Sequence, residues 1–335
     1  MYSKDFQVRK RRDVELPVIQ EQSSSGNEDL EEKEPKEERR MRSSTQGYDS
    51  PNSRLTPASV VAVKNFSFEE ESLYEDSRWS MDDLFYFRRL KDKLDSIRLG
   101  DAYKGYRVEE RHRARMIDWM IEVLCTYRNK HNTIFRSILL MDLYISKNGK
   151  ELSNTKLHLL GLCSLFIASK LEEVDCIKIG DMVDVIGYRR FSEAQILKQE
   201  LDLVSTIRFK LGLPTLYELF CVQNKLISIE NTECRVTFTK SCLYMLICCL
   251  FSFDLLLNIS YSDILSCCSI ISMKLACKVH GINPCPEIRK LIRIHDITED
   301  ATLEQKLNLI RNYVLEFPRA MACVRNVERF FGFCN

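Results

Sequence analysis

The sequence predicts an all-α protein: two helical bundles in tandem, preceded by a charged, disordered tail. Three observations predict it. From about Ser80 onward, apolar residues recur at i, i+3, i+4 and i+7, the spacing of one helix face. Gly and Pro stand at the joints between these stretches, and no stretch alternates apolar and polar residues with the period of two that a half-buried strand requires.

The tail is residues 1–77. From Glu28 to Arg42, twelve of fifteen residues are charged, and the preceding Ser23–Gly26 adds no apolar surface. Such a segment buries too little to offset its chain entropy. Arg9–Arg12 is a basic run of the kind that serves nuclear import, and equally a solvated charge cluster. Ser50–Pro51 and Thr56–Pro57 are minimal proline-directed phosphorylation sites.

The first block spans 78–213. A leading helix is expected from Ser80, at its N-cap, to about Leu99 before Gly100. Met116, Trp119, Met120, Val123 and Tyr127 mark the apolar face of the next helix, and Ile134, Ile138, Met141 and Ile145 that of the one after. Leu157 to Leu171 is apolar nearly all round, which marks a helix enclosed by others. A helix over Ile179–Ile186 follows. The next, from Ser192 to Phe209, opens with a capping box of Ser192 and Gln195. The second block, 214–335, starts at Pro214 with another capping box, Thr215 and Glu218, and has its own all-round apolar helix from about Asp263 to Lys278. Ala168-Ser169-Lys170 and Ala276-Cys277-Lys278 end the two enclosed helices alike, a faint internal repeat.

Composition narrows the function. With 49 basic against 48 acidic residues in 335, the net charge is +1, which argues against a chain built to coat nucleic acid or an anionic membrane. The most apolar run, Cys242–Phe251, is ten residues, half of what a membrane span needs. The N-terminus shows no apolar leader, so the expected location is nucleus and cytoplasm. Fourteen cysteines show no C-x-x-C spacing and sit largely in apolar runs, where they read as small core hydrophobes rather than metal ligands. The five histidines form no H-E-x-x-H pattern, and neither G-x-x-x-x-G-K nor G-x-G-x-x-G occurs. No enzyme, metal or cofactor is expected.

Two charged residues interrupt apolar surfaces. Lys170 ends the enclosed helix and is followed by Leu171, Glu172 and Glu173. Glu200 breaks a face on which Leu197, Leu201 and Val204 form the stripe. Each alone reads as a rim residue; on one face of the bundle they make a hydrogen-bonding pair for a partner.

These segments resemble a known family. Arg113-Ala-Arg-Met-Ile-Asp-Trp-Met-Ile-Glu-Val123 looks like the opening helix of a cyclin box of the A- and B-type mitotic cyclins. Ala168-Ser-Lys-Leu-Glu-Glu173 is similar to the family's third-helix signature, and Ile196-Leu-Lys-Gln-Glu200 to the start of its fifth helix. The resemblance is strong over 81–213, weaker to Asn335 and absent from the tail. It implies two five-helix cyclin-type bundles and a regulatory subunit, not an enzyme, that binds and activates a cyclin-dependent protein kinase as a heterodimer around G2/M. Lys170 and Glu200 take the positions that hydrogen-bond the kinase near its mobile C-helix. Arg113 and Asp142 take those of an internal ion pair.

The chain departs from that family in two places. Met116, Trp119 and Glu122 keep the type of the substrate-docking patch, but His112 and Arg115 replace Met and Ile there, and His158 stands where glutamine is usual. The resemblance therefore implies weakened docking of a leucine-bearing motif. Residues 1–80 also hold neither R-x-x-L nor K-E-N, the family's destruction signals. Three other readings stay open: a cyclin-fold adaptor or transcriptional-kinase cyclin without a mitotic role, a cyclin-fold transcription factor, and a helical enzyme using a low-pKa cysteine.

Overall fold

The computed structural model describes residues 81–97, 109–148, 152–298 and 300–331. The tail with its basic run and Ser/Thr-Pro sites, and Ser80 as a cap, lie outside these residues. Among the described residues the regular structure is helical. The first block holds α1 (Met81–Asp95), α2 (Glu110–Thr126), α3 (His131–Asn148), α4 (Asn154–Glu172), α5 (Ile179–Asp181) and α6 (Glu193–Thr206). The second holds α7 (Leu216–Ile227), α8 (Thr232–Cys249), α9 (Phe253–Asn258), α10 (Tyr261–Val279), α11 (Cys285–His295), α12 (Ala301–Ala320) and α13 (Asn326–Phe331).

The enclosed helices are the two that apolar residues cover all round. α4 packs against α2, α3 and α6; α10 packs against α8, α11 and α12. Leu157, Leu160, Leu162, Cys163 and Leu165 of α4 are fully buried, as are Ile264, Leu265, Cys267 and Cys268 of α10. Both capping boxes form: Ser192 accepts from the Gln195 N–H at 3.3 Å, and Thr215 from the Glu218 N–H at 3.1 Å. Each satisfies two of the free donors at a helix start.

Two elements differ from the sequence expectation. α1 ends at Asp95 rather than near Leu99, closing with a turn in which the Ser96 N–H donates to Asp92. Asp95 instead accepts from the Ser262 N–H at 3.0 Å, so the end of α1 serves as a side-chain acceptor at the start of α10. The stretch expected as one helix over Ile179–Ile186 is a single α turn followed by a π turn, Met182–Ile186. Gly187 ends it with its N–H donating to the Met182 carbonyl at 2.9 Å. A Cβ there would lie 2.6 Å from that carbonyl oxygen, so only glycine fits.

α1 precedes the first block in sequence but packs chiefly on α7 and α10 of the second, burying Phe87, Leu90 and Leu94. Lys91 donates to the His295 carbonyl at 2.7 Å, and the Phe87 ring meets His295 edge-on at 5.1 Å. Between the blocks Arg136, nearly buried, donates to Glu172 at 2.7 Å, to Glu218 at 2.8 Å and to the carbonyls of Leu211 and Leu213. The linker is thereby held to α3 by charge-assisted bonds.

No described helix is long and apolar enough to cross a membrane. Nine of the described cysteines are buried, and burial pushes the Cys125, Cys221 and Cys242 thiols up to about 12. A thiol held protonated is a poor nucleophile, which removes these from the reading of a cysteine enzyme. No group of three or more potential metal ligands occurs among the described residues.

Candidate functional site

Lys170 lies in the last turn of α4 and Glu200 in the middle of α6. Because α4 and α6 pack side by side, the two side chains meet: the Lys170 ammonium forms an ion pair with the Glu200 carboxylate. The ammonium also lies 4.1 Å from the centre of the Phe166 ring, a cation–π contact one helical turn back. The pair is partly open, with side-chain exposures of 36% and 19%. Below it the Ser169 hydroxyl accepts from the Ile177 N–H at 3.0 Å, fastening the chain that leaves α4.

The surroundings of this pair are apolar and exposed. Leu171 and Val174 follow Lys170, while Leu197 and Leu201 flank Glu200 on α6 at 46% and 65% exposure. Phe209, just past α6 and held at φ 56°, is 70% exposed. This corrects the stripe drawn from the sequence. Ile196 and Leu203 are the residues of α6 that enter the core, whereas Leu197 and Leu201 face outward and Val204 is half-buried. A helix apolar on two faces does not reveal by periodicity which face the core takes. Phe209 was expected to end this helix, but α6 stops at Thr206 and leaves Phe209 just past it.

Arg113 and Asp142 come together in the interior. Arg113 Nε donates to Asp142 Oδ1 at 2.8 Å and Nη2 to Oδ2 at 2.6 Å, a bidentate pair with both side chains essentially buried. The remaining nitrogen, Nη1, donates to the Leu250 carbonyl at 2.8 Å.

The docking-patch residues are brought together only in part. Trp119 and His158 meet edge-on at 5.1 Å, and His158 meets Phe191 at 5.4 Å. Met116 and Trp119 are buried rather than lining an open groove. Met116 packs on Gly161, where a Cβ would come within 2.3 Å of its sulfur. Burial, then the nearby Arg190 charge, lowers His158 to about 4, so the ring is neutral at physiological pH. His112 and Arg115 are half-buried, and His112 Nδ1 lies 4.0 Å from Glu109. The buried nitrogens His112 Nδ1, Trp119 Nε1 and His158 Nε2 have no hydrogen-bond partner among the described residues. Glu122 is engaged from the C-terminus: Asn326 Nδ2 lies 3.4 Å and the Arg329 guanidinium 3.6 Å from its carboxylate. Asp118 stands in the opening-helix string, but its role as a cap has no local signal. Its carboxylate is buried on α2, and its partners, Arg325 and Asn326, lie 207 and 208 residues away, beyond any local signal.

Residues 87–212, from α1 to the linker, match the family "Cyclin, N-terminal domain". Residues 87–212 thus carry a cyclin N-terminal domain. The chain is 32% identical to Cyclin-B2-2 of Arabidopsis thaliana over 135 residues, 40% of this chain and 31% of that protein. It is 37% identical to G2/mitotic-specific cyclin C13-1 of Daucus carota over 103 residues, 31% of this chain and 29% of that protein. The chain thus spans about a third of the length of these curated relatives. In fold it is similar to a viral cyclin from herpesvirus saimiri, with a TM-score of 0.57 at 14% identity. That likeness covers 70% of this chain and 97% of the viral one, so it reaches past the cyclin box into the second block.

Proposed function

We propose that this chain is the regulatory subunit of a cyclin-dependent protein kinase, acting in cell-cycle control around G2/M and doing no chemistry of its own. The observation that carries this reading is the Lys170–Glu200 pair with Leu171, Leu197 and Leu201 exposed on the same two helices and Val174 and Phe209 exposed just past their ends. A monomer gains nothing from leaving five large apolar side chains in water beside a charged pair; a partner that covers them gains their burial. On docking, the ion pair opens to offer three ammonium donors and the carboxylate oxygens to backbone groups of the kinase. Binding of this face to one conformation of the kinase shifts its population toward that conformation. In kinases the relevant one sets the C-helix glutamate against the catalytic lysine.

The polar lining of the docking patch supports a second element of the reading. Neutral His158, half-buried Arg115 and three unpartnered nitrogens make a poor seat for a leucine, so docking of the family's leucine-bearing motif is weak here. The basic run Arg9–Arg12 supports a nuclear as well as a cytoplasmic location.

The test is purification of the full chain with its bound kinase from the source cell, followed by a histone phosphorylation assay, for wild type, Lys170→Ala and Glu200→Ala. Loss of activity in both variants with melting unchanged is expected. A kinase bound and active in both variants discards the contact assignment. No bound kinase leaves a cyclin-fold adaptor.

A further inference from the structure

Two thiols face each other where the start of α8 meets the end of α10. The Cys234 sulfur, in the first turn of α8, lies 4.0 Å from the Cys277 sulfur, in the last turn of α10, and both are free. One turn further along each chain, Thr237 Oγ1 and His280 Nε2 are 2.9 Å apart, and His280 Nδ1 lies 3.6 Å from the Glu233 carboxylate. The backbone on both sides is fixed as well. Asn231 accepts from the Cys234 N–H at 2.8 Å, and the Cys277 carbonyl accepts from the Ile282 N–H at 2.8 Å. Both sulfurs are buried, yet Thr232 and Glu233 before the one and Lys278 and Val279 after the other are exposed. Cys249 and Cys268 form a second pair between the same helices, 3.8 Å apart, but Leu250, Phe251, Cys267 and Ser269 beside them are all buried. An oxidant in solution therefore meets the outer pair first.

We propose that Cys234 and Cys277 are a dithiol that a small disulfide of the oxidised-glutathione class converts to an intramolecular disulfide, stapling the start of α8 to the end of α10. The Cys234 thiolate attacks one sulfur of the oxidant and expels a glutathione thiolate. The Cys277 thiolate then attacks the Cys234 sulfur of the mixed disulfide and expels the second glutathione. Two S–H bonds and one S–S bond give one S–S bond and two S–H bonds, so the balance needs no other reactant. Burial pushes the Cys234 thiol up to about 12 and raises Cys277 too, so attack waits on fraying of the first turn of α8. The sulfurs then approach by about 2 Å to reach bonding distance. The bond joins residues 43 apart in sequence and removes that freedom from the unfolded chain. In a reducing compartment the pair rests as thiols, and oxidation of the glutathione pool closes it. The inference does not depend on kinase activation, because Lys170 and Glu200 belong to α4 and α6.

The test is incubation of the full chain with oxidised glutathione, followed by unfolding, alkylation and peptide mapping by mass spectrometry. Wild type is expected to yield a peptide pair linked through Cys234 and Cys277 and to melt about 5–10 °C higher, both reversed by dithiothreitol. Cys234→Ala and Cys277→Ala, each checked by circular dichroism, are expected to lose the linked pair and the shift, whereas Cys285→Ala, at an exposed thiol, keeps both. Cys234 and Cys277 left alkylatable while glutathione adds to Cys285 alone would overturn the proposal. So would a Cys249–Cys268 link in its place, or a melting shift that survives in Cys234→Ala.

Discussion

Arg113 joins the two blocks through Leu250: its Nη1 donates to the Leu250 carbonyl at 2.8 Å across 137 residues of sequence. Its other nitrogens are taken by Asp142, so one fully buried guanidinium ties α2 to α3 and both to the end of α8. The Glu110 carboxylate, in the first turn of α2, adds a second tie by accepting from the Phe253 N–H at 2.8 Å. The cyclin box is fastened to the second block through its opening helix.

Removing Arg113 leaves the Asp142 carboxylate buried without its cation. Arg113→Met is expected to destabilise the protein by about 3–5 kcal/mol, read as a fall in the midpoint of urea unfolding. Adding Asp142→Leu removes the stranded charge and is expected to recover a large part of that loss. A double variant no more stable than the single one would contradict this account.

The Lys170–Glu200 pair is expected to behave oppositely. It is partly solvated, so Lys170→Ala and Glu200→Ala each change unfolding free energy by less than about 1 kcal/mol. Thermal melting of the free chain checks this, and it separates a partner-facing pair from a fold staple.

Asp118 holds α13 by capping its start. Asp118→Ala is expected to cost about 1–2 kcal/mol, the range for loss of an N-cap, and to speed amide exchange at Arg325 and Asn326 ahead of the rest of the chain. Exchange that rises evenly over α2 and α13 would show a general loosening instead.

Acid weakens this fold through its histidines. Burial lowers His131 and His158 to about 4 and His295 to about 3, against 6.5 in an exposed ring. Between about 6.5 and 4 the unfolded chain takes up protons that the folded chain refuses. Stability is therefore full above about 6.5 and falls as pH drops toward 4. His158→Gln is expected to remove one share of the loss, on the order of 2 kcal/mol by pH 4.5. Urea midpoints for both proteins at pH 7 and pH 4.5 measure it.

What could be read without coordinates was whatever depends on neighbours in the chain. The capping boxes Ser192–Gln195 and Thr215–Glu218 are three-residue spacings, and the enclosed helices α4 and α10 are continuous apolar runs, so local chemistry determines both. The segments around Trp119, Lys170 and Glu200 are equally visible, because each is a short contiguous string. Tertiary structure decided the rest. Helical periodicity says that Leu197 and Leu201 share a face but not that the core lies behind Ile196 and Leu203, since burial depends on what packs there. Sequence order places α1 with the first block, yet its apolar face is satisfied by α7 and α10 of the second. Asp118 reads as an acid beside a tryptophan until chain closure brings Asn326 to within 2.7 Å of it. Its role as a cap belongs to the fold because the donors it satisfies are supplied from the far end of the chain.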